Sequence, residues 1–132
     1  MKALSRYIGI VRAGFPSPAA DYRMEDIDLE QLLGVKLTSV YYARVLGHSM
    51  VGAHIPHDSL IVIDKSLKPQ QNDIIIATLN GELILKHFVK RNGRIYLIAN
   101  PATNSLEIKK GMDFSIWGVV VNVIIDYKKK AP

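Results

Sequence analysis

Apolar residues from position 38 onward occur in short runs with the length and periodicity of β-strands. The runs occupy residues 40–46, 60–63, 74–79, 82–89, 94–99 and 116–127. Asn80-Gly81 and Asn92-Gly93 each separate two of these runs, and Asn-Gly is the strongest short-range signal for a two-residue β-hairpin. The pattern predicts a mainly β domain of antiparallel strands.

Upstream of these runs, the sequence predicts a short N-terminal helix preceded by an arm. Ser17-Pro18 is a typical helix start and Gly34 a typical end, so we expect a helix over residues 17–34. Residues 1–16 lack helical periodicity and end in Ala13-Gly14-Phe15-Pro16, so we expect a mobile or loosely laid arm. Three leucines share one face of the predicted helix: Leu29, Leu32 and Leu33.

The composition is that of one globular domain and is compatible with a reducing compartment. Of the 132 residues, 48% are hydrophobic and 22% charged, which is a usual balance for such a domain. There is no cysteine, which excludes a disulfide framework, a cysteine nucleophile and a thiolate zinc site. The longest apolar runs are far shorter than the ~20 residues that span a bilayer, and the N-terminal residues make a poor signal peptide. We therefore expect a cytoplasmic protein that does not enter a membrane.

The net charge of +5 is not arranged as a nucleic-acid-binding motif. The lysines at 128–130 are typical of a solvated chain end, and residues 21–30 are predominantly acidic. No helix-turn-helix, zinc-finger or RNA-recognition pattern organises the basic residues. We therefore expect no direct sequence-specific binding of nucleic acid.

Ser49 is the first candidate for a catalytic residue. It lies in Gly47-His48-Ser49-Met50, directly after an apolar run. A glycine at that point permits a sharp turn that exposes the serine hydroxyl and directs successive backbone N–H groups toward one point, as an oxyanion hole requires. Taken alone, the tetrapeptide is more typical of an ordinary turn serine.

A serine nucleophile needs a base, and histidine is the most common one. His48 is adjacent to Ser49 in the sequence, so the two side chains are poorly placed to meet. No carboxylate is placed beside another histidine, although Asp58 and Asp64 stay candidates for such a partner. The histidines match no standard metal-ligand spacing, and we expect no metal site. The four histidines are His48, His54, His57 and His87.

Lys86 is the alternative base. An ordinary lysine with a pKa of ~10.4 is deprotonated about once in 2,500 at pH 7, and burial greatly increases the neutral fraction. Ile84 and Phe88 flank Lys86 on one strand face, whereas the other lysines lie in polar segments or beside turns. An apolar setting is also compatible with a lysine whose stem lies on apolar surface while its ammonium reaches water.

Taken together, several segments resemble the UmuD-type mutagenesis proteins of the LexA/UmuD superfamily. They resemble that family's processing region, following helix, serine block, core strands, lysine block and closing strand, in the family's order and at its separations. The resemblance covers roughly residues 12–125 and implies a LexA/UmuD-like Ser–Lys peptidase domain. The matching segments are residues 13–22, 27–33, 47–50, 58–64, 73–77, 81–86 and 117–121.

The resemblance implies an autocatalytic serine peptidase that cuts its own chain between Ala13 and Gly14. Ala13 supplies the scissile carbonyl and Gly14 the leaving amine. Ser49 attacks, and Lys86 takes the serine proton and later returns it to the amine. The backbone N–H groups of His48 and Ser49 hold the oxyanion. No cofactor is implied.

By the same resemblance, cleavage separates a removable arm, residues 1–13, from a self-cleavage and dimerisation domain, residues 14–132. Many UmuD-type proteins have cysteine where this chain has Ala13. LexA-type repressors carry alanine there, and alanine is compatible with cleavage. Outside this context, an Ala-Gly pair is typical of a plain flexible linker.

The resemblance further implies a role in SOS mutagenesis, the response to DNA damage. A RecA filament on single-stranded DNA stimulates cleavage, and the product forms a homodimer that joins a UmuC-like polymerase in error-prone translesion synthesis. The sequence contains no recognisable N-terminal DNA-binding domain, which favours this role over that of a repressor. Two alternatives stay open: a non-catalytic binding module masked by the arm, and the cleavage and dimerisation part of a phage-type repressor that lacks its DNA-binding part. A signal-peptidase relative also uses Ser–Lys chemistry, but it needs a membrane anchor.

Overall fold

The computed structural model describes residues 5–14, 25–35, 37–99 and 105–128. The chain divides into two compact units, an N-terminal unit Met1–Leu37 and a C-terminal unit Thr38–Pro132. The predicted boundary between a removable arm, residues 1–13, and a domain, residues 14–132, is a cleavage site and stays a prediction.

The N-terminal unit contains a pair of short antiparallel strands. Strand β1 is Ser5–Tyr7 and strand β2 is Glu25–Ile27, with Arg6 opposite Asp26. The expectation that residues 1–16 form only a mobile or loosely laid arm is therefore wrong for β1. A three-residue strand is too short to show a periodicity of its own, so only the pairing with a partner distant in sequence reveals it.

Helix α1 spans only Leu29–Leu33, so the expectation of a helix over residues 17–34 is wrong for residues 25–27, which form β2. The helix begins late because Asp28 caps it, with Oδ1 accepting a hydrogen bond from the N–H of Gln31 at 3.2 Å. The predicted end is confirmed, since Gly34 follows the helix with a φ of 71°. The predicted start at Ser17-Pro18 lies outside the described residues.

The C-terminal unit contains a seven-stranded antiparallel sheet with the strand order β3-β4-β9-β5-β6-β7-β8. The mainly β fold predicted from the sequence is confirmed, and six of these strands coincide with the predicted runs except near their ends. The short edge strand β8 was not predicted. The strands are β3 Val40–Arg44, β4 Leu60–Asp64, β5 Ile74–Leu79, β6 Glu82–Arg91, β7 Arg94–Ile98, β8 Ser105–Glu107 and β9 Phe114–Ile124.

Both predicted hairpins are confirmed. Asn80 and Gly81 connect β5 to β6 with φ values of 50° and 85°, and Asn92 and Gly93 connect β6 to β7 with 50° and 76°. Two successive residues with positive φ are the signature of a type I′ turn, whose twist matches that of the flanking strands. These tight turns fix the register of β6 against both of its neighbours.

Strand β5 has an apolar core on each of its faces. Because successive strand residues point to opposite faces, Ile75 and Ala77 lie in a first buried cluster, while Ile74 and Ile76 pack against a second. This explains the continuous apolar run of β5, which a strand covered on both faces requires. The first cluster consists of Ile75, Ala77, Phe88, Leu97 and Val119. The second consists of Met50, Ile55, Ile61 and Ile63.

Candidate active site

A turn that follows β3 carries Ser49. Two backbone hydrogen bonds close its base, from the N–H of Val45 to the carbonyl of Ser59 at 2.9 Å and from the N–H of Asp58 to the carbonyl of Val45 at 2.6 Å. Met50 is only 2% exposed and belongs to the second core cluster, whereas Ser49 is exposed. The buried methionine anchors the turn and leaves the serine accessible.

Gly47 determines the backbone path of this turn. Its φ of 106° lies in a region that residues with a Cβ rarely adopt, and its N–H donates to Nδ1 of His57 at 2.8 Å. Within the described part of the chain, the next two backbone N–H groups, those of His48 and Ser49, donate no hydrogen bond. These two donors are available to an oxyanion.

Lys86 lies in β6, directly opposite Ile75 of β5. Ile84 and Phe88 flank it on the same strand face, and Lys86 itself is half-buried. On the other side of β6, strand β7 pairs from residue 87 onward, and no described residue pairs with this edge ahead of that point. Of its two predicted apolar neighbours, Phe88 belongs to the first core cluster and Ile84 packs against it.

Ser49 and Lys86 line one cleft with a volume of about 370 Å³. Much of the remaining wall is apolar and includes Leu46, Leu83 and Leu85, which is usual for a site that binds part of another molecule. By strand alternation, Lys86 belongs to the sheet face of the first core cluster, whereas the turn of Ser49 is anchored in the second. Both residues nevertheless line the same cleft.

The candidate residues are brought together only in part. Ser49 and Lys86 line the same cleft, but no hydrogen bond joins them in the described structure. Catalytic hydrogen bonds are often long without substrate and tighten in the reacting complex. Ala13 and Gly14 belong to the N-terminal unit, where both are exposed and Gly14 has a φ of 93°. Their role as the cleavage site stays a prediction.

The two carboxylates considered as partners for a histidine are engaged elsewhere. Oδ1 of Asp58 lies 3.5 Å from Nη1 of Arg44. Asp64 is only 6% exposed, and hydrogen bonds from the hydroxyl and N–H of Ser66 and from the hydroxyl of Ser39 hold its pKa below its ordinary value. In the described structure neither carboxylate orients a histidine.

His57 is a candidate functional residue that the sequence did not single out. It accepts the hydrogen bond from Gly47, and the centroids of the His57 and His48 rings are 5.2 Å apart with the ring planes inclined by 31°. Gly47 and His57 are ten positions apart, and no short motif connects them. Only the folding of the loop between β3 and β4 reveals the contact.

Among the described residues, no three histidine, aspartate or glutamate side chains are grouped as a metal site would require. The helices in this part of the chain are also too short and too polar to cross a bilayer.

Comparison with known proteins shows the family of the chain. Residues 6–121, which include Ser49 and Lys86, match the Peptidase S24-like family. The chain is 37% identical to Protein SamA of Salmonella typhimurium over 112 residues, covering 85% of this chain and 78% of SamA. It is 34% identical to Protein ImpA of Escherichia coli over 115 residues, covering 86% and 77% of the two chains. It is also 31% identical to LexA repressor 1 of Geobacter sulfurreducens over 121 residues, covering 87% of this chain and 57% of the repressor. The chain therefore belongs to the Peptidase S24-like family, within the LexA/UmuD superfamily that its sequence resembles.

Proposed function

We propose that this protein is a self-cleaving serine peptidase that cuts its own chain between Ala13 and Gly14. The observation that carries the proposal is the shared cleft of about 370 Å³, which contains both Ser49 and Lys86 in its wall. A serine hydroxyl needs a base before it attacks a peptide carbonyl. An amine in the same cleft supplies one without a histidine or a metal.

The proposed chemistry has two stages. The neutral amine of Lys86 takes the hydroxyl proton as Oγ of Ser49 attacks the carbonyl carbon of Ala13, and the backbone N–H groups of His48 and Ser49 stabilise the oxyanion. The ammonium of Lys86 then protonates the nitrogen of Gly14, the peptide bond breaks, and an ester links residue 13 to Ser49. In the second stage, the same amine deprotonates a water molecule that hydrolyses this ester and restores the serine.

The biological role that we propose is that of a UmuD-like protein of SOS mutagenesis in the cytoplasm. A RecA filament on single-stranded DNA stimulates cleavage by favouring a cleavable arrangement of the chain, and a preference of a few kcal/mol is sufficient for such a shift. The product, residues 14–132, forms a homodimer and serves as the accessory subunit of a UmuC-like translesion polymerase. Support for this role comes from the UmuD-type segments of the sequence, which extend from the predicted cleavage site to β9.

A second candidate is the cleavage and dimerisation part of a phage-type repressor that lacks its DNA-binding part. The match to LexA repressor 1 favours it, because this chain covers 57% of that repressor. The two candidates share the cleavage chemistry and differ in their partners. Binding of the cleaved product to a UmuC-like polymerase supports the first, and failure to bind any such polymerase supports the second.

The direct test is incubation of the purified chain at about pH 7 and about pH 10, followed by intact-mass analysis. Cleavage after Ala13 should yield residues 1–13 and 14–132 and should accelerate with pH, because the neutral fraction of a lysine amine rises about tenfold per pH unit below its pKa. A parallel incubation with RecA filaments on single-stranded DNA should accelerate cleavage at about pH 7.

Variants of Ser49 and Lys86, each with a matched control, test whether these two residues carry out the cleavage. Ser49→Ala and Lys86→Ala should abolish cleavage under both conditions. Ser115→Ala changes an exposed serine of β9 and Lys90→Ala an exposed lysine of β6, and both should cleave at the wild-type rate. Cleavage at another bond, or cleavage that persists in Lys86→Ala, contradicts the proposed mechanism.

A further inference from the structure

The side chain of His57, a residue other than Ser49 and Lys86, forms a hydrogen bond with the turn that carries the serine. The backbone N–H of Gly47 donates to Nδ1 of His57 at 2.8 Å. Among the described residues, no other side chain hydrogen-bonds the backbone of residues 47–50. The ring of His57 also lies beside that of His48, with the centroids 5.2 Å apart.

This hydrogen bond exists only while His57 is neutral. A ring nitrogen accepts a hydrogen bond through a free lone pair, so Nδ1 must be unprotonated and the ring proton must be on Nε2. The imidazolium ion carries a proton on both nitrogens and is a donor only. Protonation of His57 therefore removes the acceptor and places two donors, the N–H of Gly47 and the N–H of the ring, opposite each other.

We propose that His57 is a positioning residue for self-cleavage, which holds the turn of Ser49 when neutral and releases it when protonated. The inference rests on the proposed function. Gly47 precedes His48, whose N–H is a proposed oxyanion donor, and stands two residues before Ser49. A shift of Gly47 therefore displaces the nucleophile and the donor together. Glycine has several accessible backbone conformations, and this bond, together with the buried Met50, keeps the turn in one of them.

The loop that carries His57 and the strand that precedes it contain other titratable and charged groups. On the base of the loop, Nη1 of Arg44 donates to the carbonyl of Asp58 at 2.8 Å and lies 3.5 Å from its carboxylate, so that carboxylate is already engaged by a cation. Of the three histidines in this loop, His57 is the one that hydrogen-bonds the turn backbone in the described structure. These titratable and charged groups are Arg44, His48, His54 and Asp58, and Lys86 lies in the wall of the cleft that Ser49 also lines.

The test is the pH profile of self-cleavage between about pH 5 and about pH 8 for the wild type, His57→Asn and His57→Leu. The side-chain oxygen of asparagine lies close to where Nδ1 lies in histidine, and it accepts a hydrogen bond at every pH. A lysine base alone makes the cleavage rate rise about tenfold per pH unit. A histidine that must be neutral lowers the rate further in acid, because its protonated form is inactive. The wild type should therefore lose more activity than His57→Asn as the pH falls from about 8 to about 5.

His57→Leu has no hydrogen-bond acceptor at this position, so it shows the effect of losing the hydrogen bond at a pH where the histidine is neutral. His57→Leu should be slower than the wild type at about pH 8 by roughly two- to tenfold, the usual effect of one lost hydrogen bond, and His57→Asn should restore the rate. His54→Asn is the matched control, because asparagine tolerates the φ of 63° that His54 adopts. This control should keep the steep wild-type profile.

A second readout is independent of cleavage. In Ser49→Ala protein, the amide proton signal of Gly47 in NMR spectra should shift with the same midpoint as the ring of His57, and the shift should disappear when His57→Asn is added. Equal pH profiles for the wild type and His57→Asn, or a Gly47 signal that does not follow the ring, overturn the role of His57. Absence of cleavage in the wild type at every pH instead overturns the proposed function, and with it the consequence drawn for His57.

Discussion

Lys86 pairs directly with Ile75 across β6 and β5, and Ile75 is only 1% exposed. Directly opposed residues of antiparallel strands lie on the same face with their Cβ atoms about 5 Å apart. The stem of the lysine therefore lies beside a buried isoleucine, while the residue also lines the cleft of Ser49. The register of a single hairpin fixes Lys86 at the boundary between the core and the cleft.

Lys86→Arg should abolish self-cleavage and preserve the fold. Arginine keeps a long stem and a positive charge, but its guanidinium stays protonated in proteins and cannot take the serine proton. Loss of a general base typically lowers a rate by about 10²–10⁴, which intact-mass analysis over a long time course can measure. Lys90→Arg, at an exposed position of the same strand, should cleave normally. Unimpaired cleavage by Lys86→Arg would exclude Lys86 as the base.

Gly47→Ala should slow cleavage in addition to lowering the stability of the fold. A Cβ at Gly47 meets no atom within 4 Å, so the effect comes from its φ of 106°, and such backbone strain costs about 1–3 kcal/mol. Relief of this strain displaces the turn of Ser49. Gly93→Ala places a similar strain, at a φ of 76° with equally free space, in a hairpin that does not line the cleft. Thermal unfolding should detect both changes, whereas the cleavage rate should fall only for Gly47→Ala.

Gly118→Ala should destabilise the sheet through overpacking. A Cβ at Gly118 would lie 2.5 Å from Cγ2 of Ile63 and 3.3 Å from the carbonyl oxygen of Asp64. Ile63 is only 2% exposed and has little room to move, and overpacking of this kind costs about 1–3 kcal/mol. Urea unfolding should show the loss. In a double-mutant cycle, Ile63→Ala removes the clashing carbon, so the combined loss should be smaller than the sum of the two single losses.

The stability of the fold should fall in acid in a way that depends on Asp64. Hydrogen bonds from the hydroxyl of Ser66 at 2.7 Å, the N–H of Ser66 at 2.9 Å and the hydroxyl of Ser39 at 2.8 Å hold the pKa of Asp64 below its ordinary value. The folded protein therefore binds this proton less readily than the unfolded chain does. The stabilisation is complete above the ordinary aspartate pKa of ~3.9 and is lost as the pH falls through the lowered value.

Asp64→Asn should accordingly lower the free energy of unfolding at about pH 7 and make it less sensitive to pH below about pH 4. Urea unfolding curves recorded across this range provide the measurement. Asp126→Asn changes an exposed aspartate near the end of the chain and should leave the acid dependence unchanged. An Asp64→Asn protein that loses stability in acid as steeply as the wild type would contradict the assignment.

The strands that could be predicted are those whose signal is local. The apolar run of β5 and the Asn80-Gly81 turn define β5 and β6 without knowledge of any partner, because strand periodicity and a type I′ turn depend on neighbouring residues. Strands β1, β2 and β8 have three residues each and exist through pairing with other segments. The predicted helix was too long for the same reason, since the pairing of β2 with β1 competes with helix formation at residues 25–27.

The candidate site, like the fold, could be predicted from the sequence only where the signal is local. The identity of Ser49 and Lys86 as candidates follows from the residues around them, since a glycine before a turn and two apolar neighbours on a strand face act over a few positions. Their common cleft depends on the strand pairing that positions β6 and on how Met50 seats the turn in the core, and both are long-range packing events. The contact of His57 with Gly47 is of the same kind. A hydrogen bond between residues ten positions apart in an irregular loop leaves no periodic trace in the chain, so only the folded arrangement of β3 and β4 places that acceptor beside that donor.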